Sequence, residues 1–450
     1  MRGRGPLPKN PRRDETNRET GAMKTVTRLA AATLLFAATT VAAQAEKPDE
    51  LNFGVFVFSS GPAAAYGMPG RNAAELMIDQ INEEGGIDGV PIRANFIDEA
   101  QGTEGVVSEF RRLAAEGGAE VMVAALSSAN CLALAPVAEQ LQMPMLSWNC
   151  DTHQLFLDDE YEYVYRTNSS TIPEFIAYAL YLLEHMPDVS RIAIINPDYA
   201  FGHDAAQIFT ATLKSFRPDL EVVAELFPRL GSPSYSTEIS RLVSAQPDVI
   251  FSNLWGADLE NFVRQARPRG LFDSSQVVLA LGETILQGVG LPDGVIVGVL
   301  GDGWWRSPTA QANEETRQFV EAYRERYGEY PIFPSFKMAN SILALKSAYE
   351  QAIAEHGDWP TAEQLVAAVS KLDIKTYTGT LRIREDNDGL VDQIVGITKQ
   401  TDEEEFPIIV EMVRYPADRV TPPVGVDPIE WISELDDNFR AQLPKPGSYQ

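Results

Sequence analysis

The sequence predicts an α/β protein of two lobes, each a parallel sheet flanked by helices, on three observations. At 450 residues the chain is longer than one domain usually needs. Short apolar runs of β type alternate with amphipathic helical stretches through short connections, the pattern of a parallel sheet covered on both faces. That alternation runs twice, with a crossing point at "YVYRTNSS" (163–170), so the chain holds two series rather than one.

In the first series "LNFGVFVF" (51–58) reads as a strand ended by "SSGP". "RNAAELMIDQINE" (71–83) then puts Ala74, Met77, Ile78 and Ile81 on one helical face, and "EGGIDG" stops it. Strands at 92–98, 120–126 and 144–147 alternate with helices at 106–116 and 132–141. The second series has helices at 173–185, 205–215, 236–245 and 259–266, with strands at 191–196, 220–227, 249–253 and 277–281. Longer helices follow at 313–327, 335–356 and 361–372, then short β-type runs at 380–384, 393–398 and 408–413. The Pro-rich end from Pro416 reads as a tail draped on the surface.

The N-terminus belongs to neither lobe. From Met23, "MKTVTRLAAATLLFAATTVAAQAE" has a basic start, an apolar stretch and an Ala43-Gln44-Ala45 cleavage site, so 23–45 reads as a secretory signal peptide and 1–22 as an upstream extension. Removing 1–45 takes away eight Lys/Arg and three Asp/Glu, leaving 29 against 61 and a net charge of −32. Such acidity speaks against nucleic acid or anionic lipid as a partner. Glu46, not a cysteine, follows the cleavage site, so the reading is a soluble, periplasmic protein without a lipid anchor.

The chain lacks the phosphate loop, the dinucleotide fingerprint, the nucleophile elbow and the zinc-protease helix motif. Its four histidines (His153, His185, His203, His356) have no metal-ligand spacing, and no cofactor or metal is expected. The two cysteines close a repeated Ser-x-Asn-Cys pattern, Ser128 to Cys131 and Ser147 to Cys150, and each copy falls just after a strand. Neighbouring loops at the carboxyl edge of a parallel sheet are where ligands bind. Three readings stand for the thiols: a Cys131–Cys150 disulfide suited to an oxidising compartment, free thiols at the rim, or a catalytic Cys150 with His153. "SSGPAAAYG" (59–67), a hydroxyl-rich loop entering a helix, suits a carboxylate, and "GDGWWRS" (301–307) brings two tryptophans to the return between the lobes.

With these residues in view, the chain resembles the type I periplasmic solute-binding proteins of ABC importers, the branch that includes the Leu/Ile/Val (branched-chain amino acid)-binding proteins. The resemblance runs from Leu51 to about Thr398 and rests on the order of "FGVFVFSSGPAAAYGMPGRNAAELMIDQINEEGGIDGVPI", "LSSANCLALAPVAEQLQMPMLSW", "YVYRT", "DYAFGHDAA", "AQPDVIFSNLWGADLENFVRQARPRGL" and "FVEAYRERYGEYP". It implies two lobes joined by three hinge crossovers, with 46–165 and 303–378 forming lobe 1, 166–302 and 379–415 lobe 2, and 416–450 a tail. A solute would be enclosed as the lobes hinge shut.

Carried over by motif, the first lobe would hold a ligand carboxylate with Ser127 and Ser128, then Asn149, Cys150 and Asp151, beside Tyr66. The second would supply Phe201, Trp255 and Glu283, the last for a ligand ammonium, and Trp304 would add to an aromatic lining. Asp151 departs from the family's usual Thr and would repel a carboxylate, which points to an aromatic, amide-bearing or cationic solute rather than leucine. A cation follows if Asp151 and Glu283 both face the cleft. The expected role is that of a monomeric, non-enzymatic capture protein for an amino-acid-like or aromatic solute, delivered to a permease with its ATPase subunits. The alternatives are a ligand sensor for a membrane receptor and a Cys-dependent hydrolase.

Overall fold

The computed structural model describes residues 46–157 and 160–449, so the proposed extension and signal peptide lie outside the described residues. The first sheet takes β1 (Leu51–Val57), β2 (Ile92–Asp98), β3 (Val121–Val123), β4 (Met145–Ser147) and β5 (Val164–Arg166) in the order β2-β1-β3-β4-β5, all parallel. β1 is almost wholly buried, which is why it reads as an unbroken apolar run and not as an alternation. Helices α1 (Ala64–Glu83), α2 (Thr103–Ala115) and α3 (Ser128–Leu141) make the crossovers.

All three start earlier than the sequence suggests, α1 and α3 by the most. α1 passes through Gly67, Pro69 and Gly70, residues that ordinarily break helices. Here the glycines answer to close approach: a Cβ on Gly67 would fall 2.2 Å from the Phe58 carbonyl oxygen, and one on Gly70 would fall 2.8 Å from the Trp148 ring. α3 begins at Ser128, so the first Ser-x-Asn-Cys copy is a helical turn and not a loop. That turn is pinned from below by Glu99, whose carboxylate accepts from the Leu126 N–H (2.7 Å), the Ser127 N–H (3.2 Å) and Asn130 Nδ2 (2.8 Å).

After β5 the second series runs α4 (Thr171–His185), β6 (Arg191–Ile195), α5 (Ala200–Phe216), β7 (Glu221–Leu226), α6 (Ser236–Ala245), β8 (Val249–Ser252), α7 (Gly256–Ala266), the turn α8 (Leu271–Ser274), β9 (Gln276–Leu279) and β10 (Ile296–Gly298). The chain then crosses to α9 (Pro308–Ala312), α10 (Glu314–Tyr327), α11 (Phe333–His356) and α12 (Ala362–Val369), with α10 and α11 packed on α1. A small antiparallel sheet follows, of β11 (Asp373–Lys375), β12 (Thr380–Ile383) and β13 (Gly389–Leu390), so the expected strand at 380–384 pairs here and not in the second sheet. β14 (Gln393–Lys399) and β15 (Ile408–Tyr415) complete the second sheet, ordered β15-β14-β10-β9-β8-β6-β7. Its series strands are parallel, and β14 and β15 add an antiparallel edge.

The tail is docked and not merely draped. It forms α13 (Ala417–Val420), α14 (Pro428–Ser433) and α15 (Asp437–Ala441), with α13 against α4 and α14 against α5. Val420 and Ile432 are fully buried there, and Lys445 Nζ donates to Glu184 at 2.6 Å. Apolar side chains spaced through the Pro-rich stretch give it an inner face. Among the described residues no helix is long and apolar enough to cross a membrane.

Candidate ligand-binding site

Each large sheet reverses its strand order once, between β1 and β3 in the first and between β6 and β8 in the second. A crevice opens at such a point because the two flanking helices leave on opposite faces of the sheet. The two crevices face one another. Tyr66, Leu126, Ser128, Asn149 and Asp151 line one side of the pocket between them, and Tyr199, Phe201, Trp255 and Leu281 line the other. The walls close on one another here and leave a cavity of only about 10 Å³.

The walls touch around this space. The Ala257 N–H donates to the Pro62 carbonyl at 3.3 Å, and Thr152 Oγ1 and Gln154 Nε2 donate to Asp204 at 2.5 and 2.7 Å. Tyr66 stands edge-on to Trp255, with centroids 5.6 Å apart, and its hydroxyl donates to Asn149 Oδ1 at 3.1 Å. The Trp255 indole N–H is buried beside the Tyr199 hydroxyl yet makes no hydrogen bond of good geometry, which leaves a donor for a ligand. Four helix N-termini meet at the pocket: Tyr66 is in the first turn of α1, Ser128 opens α3, Tyr199 precedes α5 and Trp255 precedes α7. Unpaired N–H groups at helix starts give such a place a positive potential.

Six of the residues singled out from the sequence therefore line one pocket: Tyr66, Ser128, Asn149, Asp151, Phe201 and Trp255. The other four lie elsewhere. Ser127 is the residue before α3, with its N–H spent on Glu99. Cys150 is fully buried and joined to Cys131, with Cα atoms 6.1 Å apart. Glu283 does not line the pocket. Its Oε2 accepts the Phe333 N–H at 3.2 Å, its Oε1 has no partner, and burial pushes its carboxyl well above the usual range, which disfavours the charge an ammonium would need. Trp304 is buried against Trp305, which stacks on Tyr330 at 4.0 Å. With Glu283 outside the pocket, the condition for a cationic ligand is not met.

Behind Asp151 lies a charge cluster that sequence reasoning missed. Lys337 of α11 donates to Asp151 Oδ1 at 2.7 Å and to Glu174 Oε1 of α4 at 3.2 Å, and all three side chains are buried. Burial raises both carboxyls, while Lys337 pulls both down. Burial, the largest influence on each, holds both above the usual range; Asp151 has the closer ammonium and the Arg166 charge nearby and is the more acidic of the two, whereas Glu174 is pushed further, by burial and then by Asp151. A lone Lys in the apolar start of α11 and a Glu in the first turn of the largely apolar α4 were the signals available in sequence. Tyr199, in "DYAFGHDAA", was equally legible as the residue before a helix.

Catalysis finds no constellation here. The sulfur of Cys150 is committed to the bridge, and His153 Nδ1 faces Thr171 Oγ1 at 3.0 Å, with burial lowering its pKa. Among the described residues no three His, Cys, Asp or Glu side chains are placed to hold a metal ion.

The family model for periplasmic binding proteins matches residues 50–403. The chain belongs to the periplasmic binding protein family. This binding protein is 25% identical over 350 residues to Leu/Ile/Val-binding protein homolog 8 of Brucella abortus, covering 72% of this chain and 81% of that one. In fold it resembles an ABC-transporter solute-binding protein of Rhodopseudomonas palustris BisB5 in complex with 3,4-dihydroxybenzoic acid, with a TM-score of 0.72, 21% identity, and 84% and 100% of the two chains covered. It also resembles the closed conformation of a Leu-, Ile-, Val-, Thr- and Ala-binding protein of Brucella ovis, with a TM-score of 0.70, 19% identity, and coverage of 83% and 97%. It is a solute-binding protein and not an enzyme.

Proposed function

We propose that this binding protein is exported by the signal peptide at 23–45, works as a periplasmic monomer and passes its solute to the permease and ATPase subunits of an ABC importer. The solute the pocket suits is a small aromatic carboxylate. One observation carries this reading: four helix N-termini and four aromatic side chains surround a pocket whose single acid among the described residues, Asp151, is salt-bridged to Lys337. The helix starts and Ser128 favour an anion, and Tyr66, Tyr199, Phe201 and Trp255 favour a ring. The Rhodopseudomonas palustris relative in fold, held with an aromatic acid, supports the same class.

Tryptophan fluorescence tests it, because Trp255 lines the pocket. Residues 46–450 titrated with benzoate, 4-hydroxybenzoate, leucine and benzylamine should show saturable change with the two aromatic acids. Saturation by leucine or benzylamine alone would reject the assignment.

A further inference from the structure

We infer that Lys337 is the residue that lets the pocket accept a carboxylate, because it cancels the charge of Asp151 from behind the pocket wall. The inference rests on the aromatic-carboxylate reading and adds a specificity-determining residue to it. Asp151 lines the pocket on the same side as Ser128, so without a partner its carboxylate would repel an incoming one. Lys337 does not line the pocket. It reaches Asp151 at 2.7 Å from α11, a helix that packs on α1. Its second acid, Glu174 at 3.2 Å, is held by Ser169 Oγ at 3.0 Å and leaves Oε2 without a partner.

Two acids around one base make the cluster asymmetric. If Asp151 is removed, Glu174 can ionise and take over as the partner of Lys337. If Lys337 is removed, nothing else replaces the ammonium. Arg166, the remaining cation near Asp151, is spent: it donates to the Asp151 and Thr152 carbonyls and its Nε lies 3.4 Å from Asp388. The charged and titratable groups facing Asp151 are thus Lys337, Glu174, Arg166, Asp388, Tyr66 and Tyr199. A pair with a purely structural role would make both deletions equally harmful, since breaking either side of a buried pair strands a charge.

Calorimetric titration with benzoate and its neutral isostere benzamide tests the asymmetry, at several pH values between 6 and 8. Lys337→Met should weaken benzoate about tenfold or more at pH 8, the scale of one uncompensated like charge. It should leave benzamide within about threefold. As the pH falls, the benzoate deficit relative to wild type should shrink, because an Asp151 that takes up a proton no longer repels the anion. Using the ratio to wild type removes titrations the two proteins share, Glu99 included. Asp151→Asn, which removes the repelling charge itself, should shift benzoate and benzamide by the same factor, and Asp151→Asn/Lys337→Met should bring the ratio of the two affinities back to that of Asp151→Asn.

Equal loss of benzoate and benzamide in Lys337→Met at every pH, or no loss of either, overturns the inference. If Lys337→Met does not fold, the double variant decides: benzamide retained with benzoate lost overturns it. Wild type that takes benzylamine and refuses benzoate rejects the functional reading together with the inference. Wild type that takes benzoate while Lys337→Met matches it rejects the inference alone.

Discussion

The two walls of the pocket are built differently. The first-sheet wall is polar and braced: Ser128, Asn149 and Asp151 sit on backbone fixed by Glu99, by the Cys131–Cys150 bridge and by the Lys337 cluster. The second-sheet wall is made of Tyr199, Phe201, Trp255 and Leu281, whose rings pack onward into the core, as Phe201 does on Phe175 at 5.9 Å. The acid and its partners stand on the first side, and three of the four rings stand on the second. A buried charge must be held in place by partners, whereas an aromatic wall needs only packing, and this explains why the bracing is concentrated on the first wall.

The largest expected effect comes from cutting the brace. Replacing Cys131 and Cys150 by serine should lower unfolding stability by about 3 kcal/mol, the entropy scale for a loop of this length, read as a lower melting temperature. Solute affinity should change far less, because Cys150 does not line the pocket. A loss of affinity matching the loss of stability would break the division between brace and wall.

The Glu99 carboxyl is raised from the usual 4.5 to about 7 by burial, which outweighs its three N–H donors. The native state therefore keeps a proton that the unfolded chain has released. Stability should fall as the pH rises from about 4.5 to 7 and level off above, by up to about 3 kcal/mol. Glu99→Gln should flatten that slope in pH-dependent denaturant melts, and an unchanged slope would assign it to other groups.

On the aromatic side, Trp255→Ala should weaken an aromatic acid roughly thirtyfold, the scale of one central aromatic contact. The smallest effect is that of Tyr66→Phe, which removes only the hydroxyl bond to Asn149 and should cost about 1 kcal/mol of affinity by titration. If Tyr66→Phe proved worse than Trp255→Ala, polarity and not shape would dominate, and the comparison would be reversed.

How far the sequence discloses all this follows from range. Strand and helix succession is local, and β1, β6 and β8 stand where apolar runs mark them. Helix starts were harder: Gly67, Pro69 and Gly70 look like a break until Phe58 and Trp148 are seen pressed against them. The rim residues could be found because each follows a strand, as Ser128, Asn149 and Trp255 do. Lys337 could not, because its partners stand 186 and 163 positions away and only the packing of α11 brings them together. Glu283 misled for the complementary reason: its place after β9 fits a rim residue, but its carboxyl turns to the Phe333 backbone.

The central claim is that the pocket admits an anion attached to a ring. Benzoate, benzamide and benzylamine share the ring and differ in charge, so calorimetric titration of the three at pH 7 isolates it. Saturable binding of benzoate, weaker binding of benzamide and none of benzylamine is the expected result. Binding of benzylamine with no heat from benzoate would contradict the account.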